Sequence, residues 1–234
     1  MEKKNILLIG GSYGIGKAIV EKIANEYNVF VASRSNESLQ NTNCTHIPFD
    51  ASTNVLDVDT LPASIDGLVY CPGSINLRPF RGLKPEQFEA DMHINFFNMV
   101  KVIQTVLPLI NNSNQASIVL FSSIAATMGM PFHSSIAAAK GAVEGFAKAL
   151  AAEYAPKIRV NVIAPSLTDT PLADKFLNNE VKMEKSAMRH PLKRVGTSED
   201  MAEMAALLLS DKSSWISGQT FHIDGGMSTL LVNG

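Results

Sequence analysis

Residues 5–16 read Asn-Ile-Leu-Leu-Ile-Gly-Gly-Ser-Tyr-Gly-Ile-Gly, an apolar run that ends in a cluster of glycines. Ile6 to Ile9 is apolar without alternation, the pattern of a strand buried on both faces, and such strands sit at the centre of parallel sheets. A helical pattern from Ile15 to Asn25 follows at once. Glycines between strand and helix permit a tight turn and let backbone N–H groups approach a pyrophosphate at the helix N-terminus. Gly10, Ser12, Tyr13, Gly14, Ile15 and Gly16 are therefore candidate nucleotide-binding residues. Spaced glycines alone are a weak signal that also fits a structural turn; the strand–turn–helix context gives them weight.

Further strands are expected at Val29–Ala32, His46–Phe49, Leu68–Cys71, Ser117–Phe121, Ile158–Ile163 and Gln219–Ile223. Long helices are expected at Pro85–Leu109 and Ser134–Tyr154, and a shorter one from Ser198 to about Leu209. This alternation predicts an α/β fold, a doubly wound parallel sheet of about seven strands with helices on both faces. With 234 residues, 46% of them hydrophobic, the chain has material for one such domain over residues 1–234. Residues 166–195 have weak periodicity and prolines at 171 and 191, so a mobile loop or lid is expected there. Ser198 is expected to open the following helix, with Met201 where a capping box prefers Glu or Gln.

Composition excludes several functions. A net charge of −2 with scattered basic residues gives no footprint for nucleic acid or an anionic membrane. Two cysteines, Cys44 and Cys71, form no disulfide framework and suit a reducing cytoplasm. The apolar run at residues 6–9 is too short for a signal peptide or a membrane span. The histidines at 46, 93, 133, 190 and 222 show no paired ligand spacing, so no metal site is expected. Ser123 lacks the Gly-x-Ser-x-Gly elbow of a serine hydrolase.

At the end of the second strand a dinucleotide fold that prefers NAD carries an acidic residue for the ribose hydroxyls. This chain has Ser33 followed by Arg34. A small hydroxyl beside a guanidinium suits a 2′-phosphate, so NADP(H) is preferred over NAD(H).

With these segments placed, the chain resembles the short-chain dehydrogenase/reductase family over essentially its whole length. The glycine turn matches Thr-Gly-x-x-x-Gly-x-Gly, with Ile9 in place of threonine. Asp50 and Ala51 match the segment that the family uses near the adenine, and Gly73 is the glycine kept from Asn-Asn-Ala-Gly in Tyr70-Cys71-Pro72-Gly73. Asn95, Ser123 and Lys140 match three members of the catalytic tetrad. Residues 161–170 resemble Asn-x-x-x-Pro-Gly, with Pro165 kept and Ser166 for glycine; Thr168 and Thr170 fall at positions that touch the nicotinamide amide and phosphate. Gly218 and Asp224-Gly225-Gly226 match the closing signature.

The resemblance implies a Rossmann-type fold, a nicotinamide cofactor, a small-molecule substrate governed by the segment near 166–195, and a homodimer or homotetramer. It also implies a gap. The family's proton-donating tyrosine falls at Ile136, thirteen residues after Ser123 and four before Lys140. A positioned acid contributes about 10²- to 10⁴-fold, so its loss slows catalysis without abolishing it. His133 precedes Lys140 by seven residues, the Tyr-x₆-Lys spacing of the family's enoyl reductases, and histidine is a competent acid near neutral pH. It is the candidate substitute; the plainer reading is a residue at the helix entry. Two functions follow as expectations: an oxidoreductase with an altered proton relay acting on a carbonyl or activated double bond, or a nucleotide-binding protein without turnover that serves as a partner subunit.

Overall fold

The computed structural model describes residues 2–232. Seven strands, β1 (Asn5–Ile9), β2 (Asn28–Ser33), β3 (Thr45–Pro48), β4 (Gly67–Tyr70), β5 (Ala116–Phe121), β6 (Ile158–Pro165) and β7 (Thr220–Ile223), pair in parallel in the order β3-β2-β1-β4-β5-β6-β7. The helices are α1 (Gly14–Ile23), α2 (Pro85–Met92), α3 (Asn98–Asn111), α4 (Ser134–Tyr154), α5 (Asp174–Leu177), α6 (Glu180–Met188) and α7 (Ser198–Leu209), with short 3₁₀ turns between them.

Alternate strand residues feed two cores, as a sheet covered on both faces requires. Leu7, Ile9, Leu68, Ile118, Leu120 and Val160 pack against Met99, Ile103 and Val106 of α3 and Val143 and Ala147 of α4. Ile6, Leu8, Val69, Val119 and Ile163 pack on the other side against Ile19 and Ile23 of α1 and Ala205 and Leu208 of α7. Truncating a residue such as Leu7 to alanine costs about 2–5 kcal/mol through lost burial and the cavity left behind.

Three local expectations are corrected. The helix expected over Pro85–Leu109 is interrupted by a π-helical turn, His93–Phe97, between α2 and α3. The N–H of Asn98 bonds the carbonyl of His93, five residues back. The cap of α7 is Thr197 rather than Ser198: its hydroxyl accepts from the Asp200 N–H at 3.2 Å, while the Asp200 carboxylate accepts from the Thr197 N–H at 2.8 Å. Asp200 closes the box that Met201 cannot, because only a carboxylate or amide reaches back to the cap N–H. Finally, residues 166–195 contain α5 and α6, the latter capped by Asn179, whose Oδ1 accepts from the Lys182 N–H at 2.9 Å.

Candidate active site

Strand order reverses between β1 and β4, and in open α/β sheets ligands bind outside the carboxyl ends of the strands at such a point. Two adjoining cavities lie there. The smaller, about 210 Å³, runs along the glycine turn and past Ser33, Arg34, Asp50, Ala51 and Gly73. The larger, about 460 Å³, lies over the ends of β5 and β6 and under α5 and α6. Ile15, Cys71, Gly73, Thr170 and Leu172 line both.

In the glycine turn, Gly10 and Gly14 have φ of +80° and +58°, values that favour residues without a Cβ. A Cβ on Gly16 would lie 2.2 Å from the Gly10 carbonyl oxygen. The backbone is thus folded back on itself so that α1 begins beside the cavity. Arg34 donates to the Tyr13 hydroxyl at 2.7 Å, across the mouth of the turn. Ser33 is buried at the end of β2, its hydroxyl donating to the Ser35 carbonyl at 2.8 Å. No acidic side chain stands at Ser33 to repel a phosphate, and Arg34 keeps donors beyond the one given to Tyr13. These residues fit a phosphorylated dinucleotide.

In the larger cavity, Ser123, His133, Ile136 and Lys140 share one lining. Ser123 caps the turn after β5, its Oγ accepting from the Ala125 N–H at 3.2 Å. Its hydroxyl proton is thereby left for another acceptor. Lys140 is buried, and its ammonium donates to the Phe121 carbonyl at 2.9 Å. Burial lowers its pKa from the ordinary 10.5 to about 8, because desolvation disfavours the charged form. Ile136, 4% exposed, packs one helical turn before it. His133 precedes the first residue of α4 without capping it, and its Nδ1 lies 2.7 Å from the Pro131 carbonyl. A carbonyl only accepts, so Nδ1 carries the proton and Nε2 is the nitrogen left to gain or lose one.

Asn95 sits in the π turn. Its side-chain amide donates to the Asp91 carbonyl at 2.8 Å, the acceptor that an α-helix would give to its own N–H. A Cβ on Gly73 would stand 3.0 Å from Asn95 Oδ1 and 3.4 Å from Lys140 Nζ, so a glycine there leaves open the space between the two. Thr168 and Thr170 line the larger cavity, their hydroxyls donating to the carbonyls of Ser166 and Thr168. Pro165 closes β6 beside them.

The structure also brings in residues that the pattern of apolar residues did not reveal. Asp91, fully buried, accepts from Ser74 Oγ at 2.6 Å, Asn76 Nδ2 at 2.7 Å and Ser135 Oγ at 2.7 Å. His190, also buried, joins Ser186 to Ser166, with Nδ1 2.9 Å from the Ser186 carbonyl and Nε2 2.9 Å from Ser166 Oγ. Lys175, Lys182, Lys185 and Arg189 border the larger cavity. The i, i+3, i+7 spacing of the last three was readable as one helix face. Among the described residues, no tyrosine lines the larger cavity and no metal-binding cluster occurs.

A strand–glycine turn–helix at the first strand and a serine and lysine above the next strands define a nucleotide-dependent α/β enzyme scaffold. Residues 10–228 match the family model described as enoyl-(acyl carrier protein) reductase. A tropinone reductase homolog of Arabidopsis thaliana is 32% identical over 252 aligned positions, covering 100% of this chain and 95% of that protein. The 3-oxoacyl-[acyl-carrier-protein] reductase FabG of Thermotoga maritima is 31% identical, covering 97% of this chain and 98% of that one. The ligand-free aldohexose dehydrogenase of Thermoplasma acidophilum superposes with a TM-score of 0.90 at 26% identity, over 100% of this chain and 97% of that one. ElxO, solved with NADP bound, superposes with a TM-score of 0.89 at 26% identity, over 98% and 100%. The chain belongs to the short-chain dehydrogenase/reductase family of oxidoreductases.

Proposed function

We propose that the chain is an NADP(H)-dependent oxidoreductase that transfers hydride to a carbonyl carbon, or to an activated double bond, through an altered proton relay. The observation that carries this reading is the shared cavity of Ser123 and Lys140, with Asn95 next to Gly73 beside it. NADPH, when bound, supplies the hydride. The glycine turn and Arg34 hold its phosphates, Asp50 and Ala51 border its adenosine, and Lys140, Thr168 and Thr170 border the nicotinamide half. Ser123 donates its hydroxyl proton in a hydrogen bond to the substrate oxygen, stabilising the charge that develops there. Ile136 offers no proton. His133 takes that role: with Nδ1–H held by the Pro131 carbonyl, protonation at Nε2 gives an imidazolium that delivers its proton to the alkoxide. The name 3-oxoacyl-[acyl-carrier-protein] reductase, borne by the Thermotoga relative, describes carbonyl reduction and supports that direction. The reading includes a cytoplasmic homo-oligomer.

A second reading, a nucleotide-binding partner subunit without turnover, is favoured by Ile136 and by the lack of a tyrosine along the larger cavity among the described residues. NADPH binding followed by a panel of carbonyl and enoyl substrates separates the two, using the native chain, His133→Ala and Ile136→Tyr. Turnover in the native chain that His133→Ala abolishes supports the first reading. Tight NADPH binding with turnover only in Ile136→Tyr supports the second.

A further inference from the structure

The charges of α6 and of Arg189, which follows its last residue, are sorted by face. Lys182, Lys185 and Arg189 border the larger cavity, whereas Glu180 and Glu184 lie about 200° around the helix from Lys182 at 100° per residue and do not. Lys175 of α5 joins the cationic rim, and among the described residues no aspartate or glutamate lines this cavity at all. In a chain whose net charge is −2, this is a local excess rather than a reflection of composition.

Two of these cations have structural work. Lys175 Nζ donates to the Ile75 carbonyl at 2.7 Å, and Lys182 Nζ to the Lys175 carbonyl at 3.0 Å and Asn178 Oδ1 at 2.8 Å. Lys185 and Arg189 make no side-chain hydrogen bond or ion pair among the described residues. The cofactor's phosphates, placed along the glycine turn and Arg34, do not account for them, since that cavity includes no residue of α6. Below the rim the wall is apolar, with Ile75, Leu77, Met130, Ile136, Leu167 and Phe176.

We propose that this cavity takes a carbonyl substrate with an apolar body and an anionic oxygen group, a carboxylate or a phosphate, at the end remote from the carbonyl. Lys185 and Arg189 bind that group, and the apolar wall takes the body between it and Ser123. The inference rests on the oxidoreductase reading and adds the substrate class. Like charges gathered at the mouth repel one another, and an anion among them relieves that repulsion while the summed field draws substrate in.

The test uses three probes of one chain length: a medium-chain oxo acid, its methyl ester, and the matching oxo-alkyl phosphate. Each is assayed with NADPH on the native protein and on the double variant Lys185→Ala/Arg189→Ala. The acid or the phosphate is expected to exceed the ester in kcat/KM at least ten-fold, the preferred anion identifying the source of the charge. The variant is expected to lower that ratio about ten-fold, and added salt to erode it in the native chain. A native ratio near one, or a ratio the variant leaves unchanged, overturns the inference while leaving the oxidoreductase reading intact. If no probe is turned over, the oxidoreductase reading is decided separately by the carbonyl and enoyl panel, and equilibrium binding of the three probes to the NADPH-loaded proteins decides the inference. Tighter anion binding that the variant loses supports it, and equal binding of acid, phosphate and ester overturns it.

Discussion

Asn95 and Ser74 hold each other by two hydrogen bonds in opposite senses: Asn95 Nδ2 donates to Ser74 Oγ at 2.9 Å, and the Ser74 N–H donates to Asn95 Oδ1 at 3.2 Å. Ser74 Oγ in turn donates to Asp91. The sense of this chain orients the amide, because an ionised carboxylate accepts only, which commits the serine oxygen to accept from Asn95 Nδ2.

Replacing Asp91 with alanine therefore strands the buried hydroxyl of Ser135 and takes an acceptor from the half-buried Ser74 and from Asn76. Chemical denaturation is expected to show a loss of about 2–3 kcal/mol, the scale of buried hydrogen bonds to a charged group. Ser74→Ala, which leaves Ser135 and Asn76 paired, is expected to cost less. Equal stability of Asp91→Ala and the native chain would refute the buried network.

Lys140 makes the stability of the cofactor-free protein depend on pH. Its folded pKa of about 8 lies below the ordinary 10.5, so between these values the unfolded chain holds a proton that the folded one has released. Stability contributed by this group therefore rises as pH climbs from about 8 to 10.5 and is lost as pH falls through 8. Lys140→Met is expected to flatten that rise in urea unfolding followed across the same range. An identical slope in the variant would assign the effect elsewhere.

Gly16→Ala places a Cβ against the Gly10 carbonyl, backbone against backbone, with no flexible side chain to yield. The turn must open, and the N–H groups facing the cavity move with it. The dissociation constant for NADPH, measured by fluorescence titration, is expected to rise at least ten-fold, about 1.4 kcal/mol or more. An unchanged constant would remove the glycine turn from the binding site.

Cofactor choice is expected to follow β2. Ser33→Asp combined with Arg34→Leu introduces a carboxylate for ribose hydroxyls and removes the guanidinium, so the preference is expected to turn from NADPH to NADH. Calorimetric titration of both cofactors against native and variant chains reads this directly. A native chain that binds NADH more tightly would reverse the assignment of Arg34.

The fold was largely legible because the central parallel strands are short apolar runs that alternate with helical patterns. Ile6–Ile9 and Ser117–Phe121 could be little else, and α4 begins and ends at Ser134 and Tyr154 as its pattern indicates. The π turn left no trace, since a shift from i−4 to i−5 bonding changes the backbone partner and not the residue type. The cap of α7 was displaced by one because Thr197 and Ser198 are both good caps, and only Asp200 three residues on distinguishes them. α6 was invisible to hydrophobic periodicity because it buries no residue outright, and of Met183, Ser186 and Ala187, which turn toward the protein, only Met183 is a large apolar side chain. Of the candidate site, Ser123, Ile136 and Lys140 were picked out through the family resemblance, and His133 through its spacing from Lys140. Asp91 was not, because nothing in a sequence marks a carboxylate that is buried among three donors from distant segments.

The π turn at His93–Phe97 gives the long helix a splice rather than a continuous shaft. Upstream and downstream halves each keep their own phase; at the seam the backbone bonding shifts to five residues back, and the Asn95 amide takes the Asp91 carbonyl. The seam stands where Asn95 Oδ1 and Lys140 Nζ both approach Gly73. A chain that lost the Asn95 amide would find the regular α-helix the easier path, and closing the seam would turn α2, with Asp91 on it, out of phase with α3. Asn95 thus acts as a spacer that sets the angle between two halves of the scaffold, whatever it contributes to the chemistry beside it.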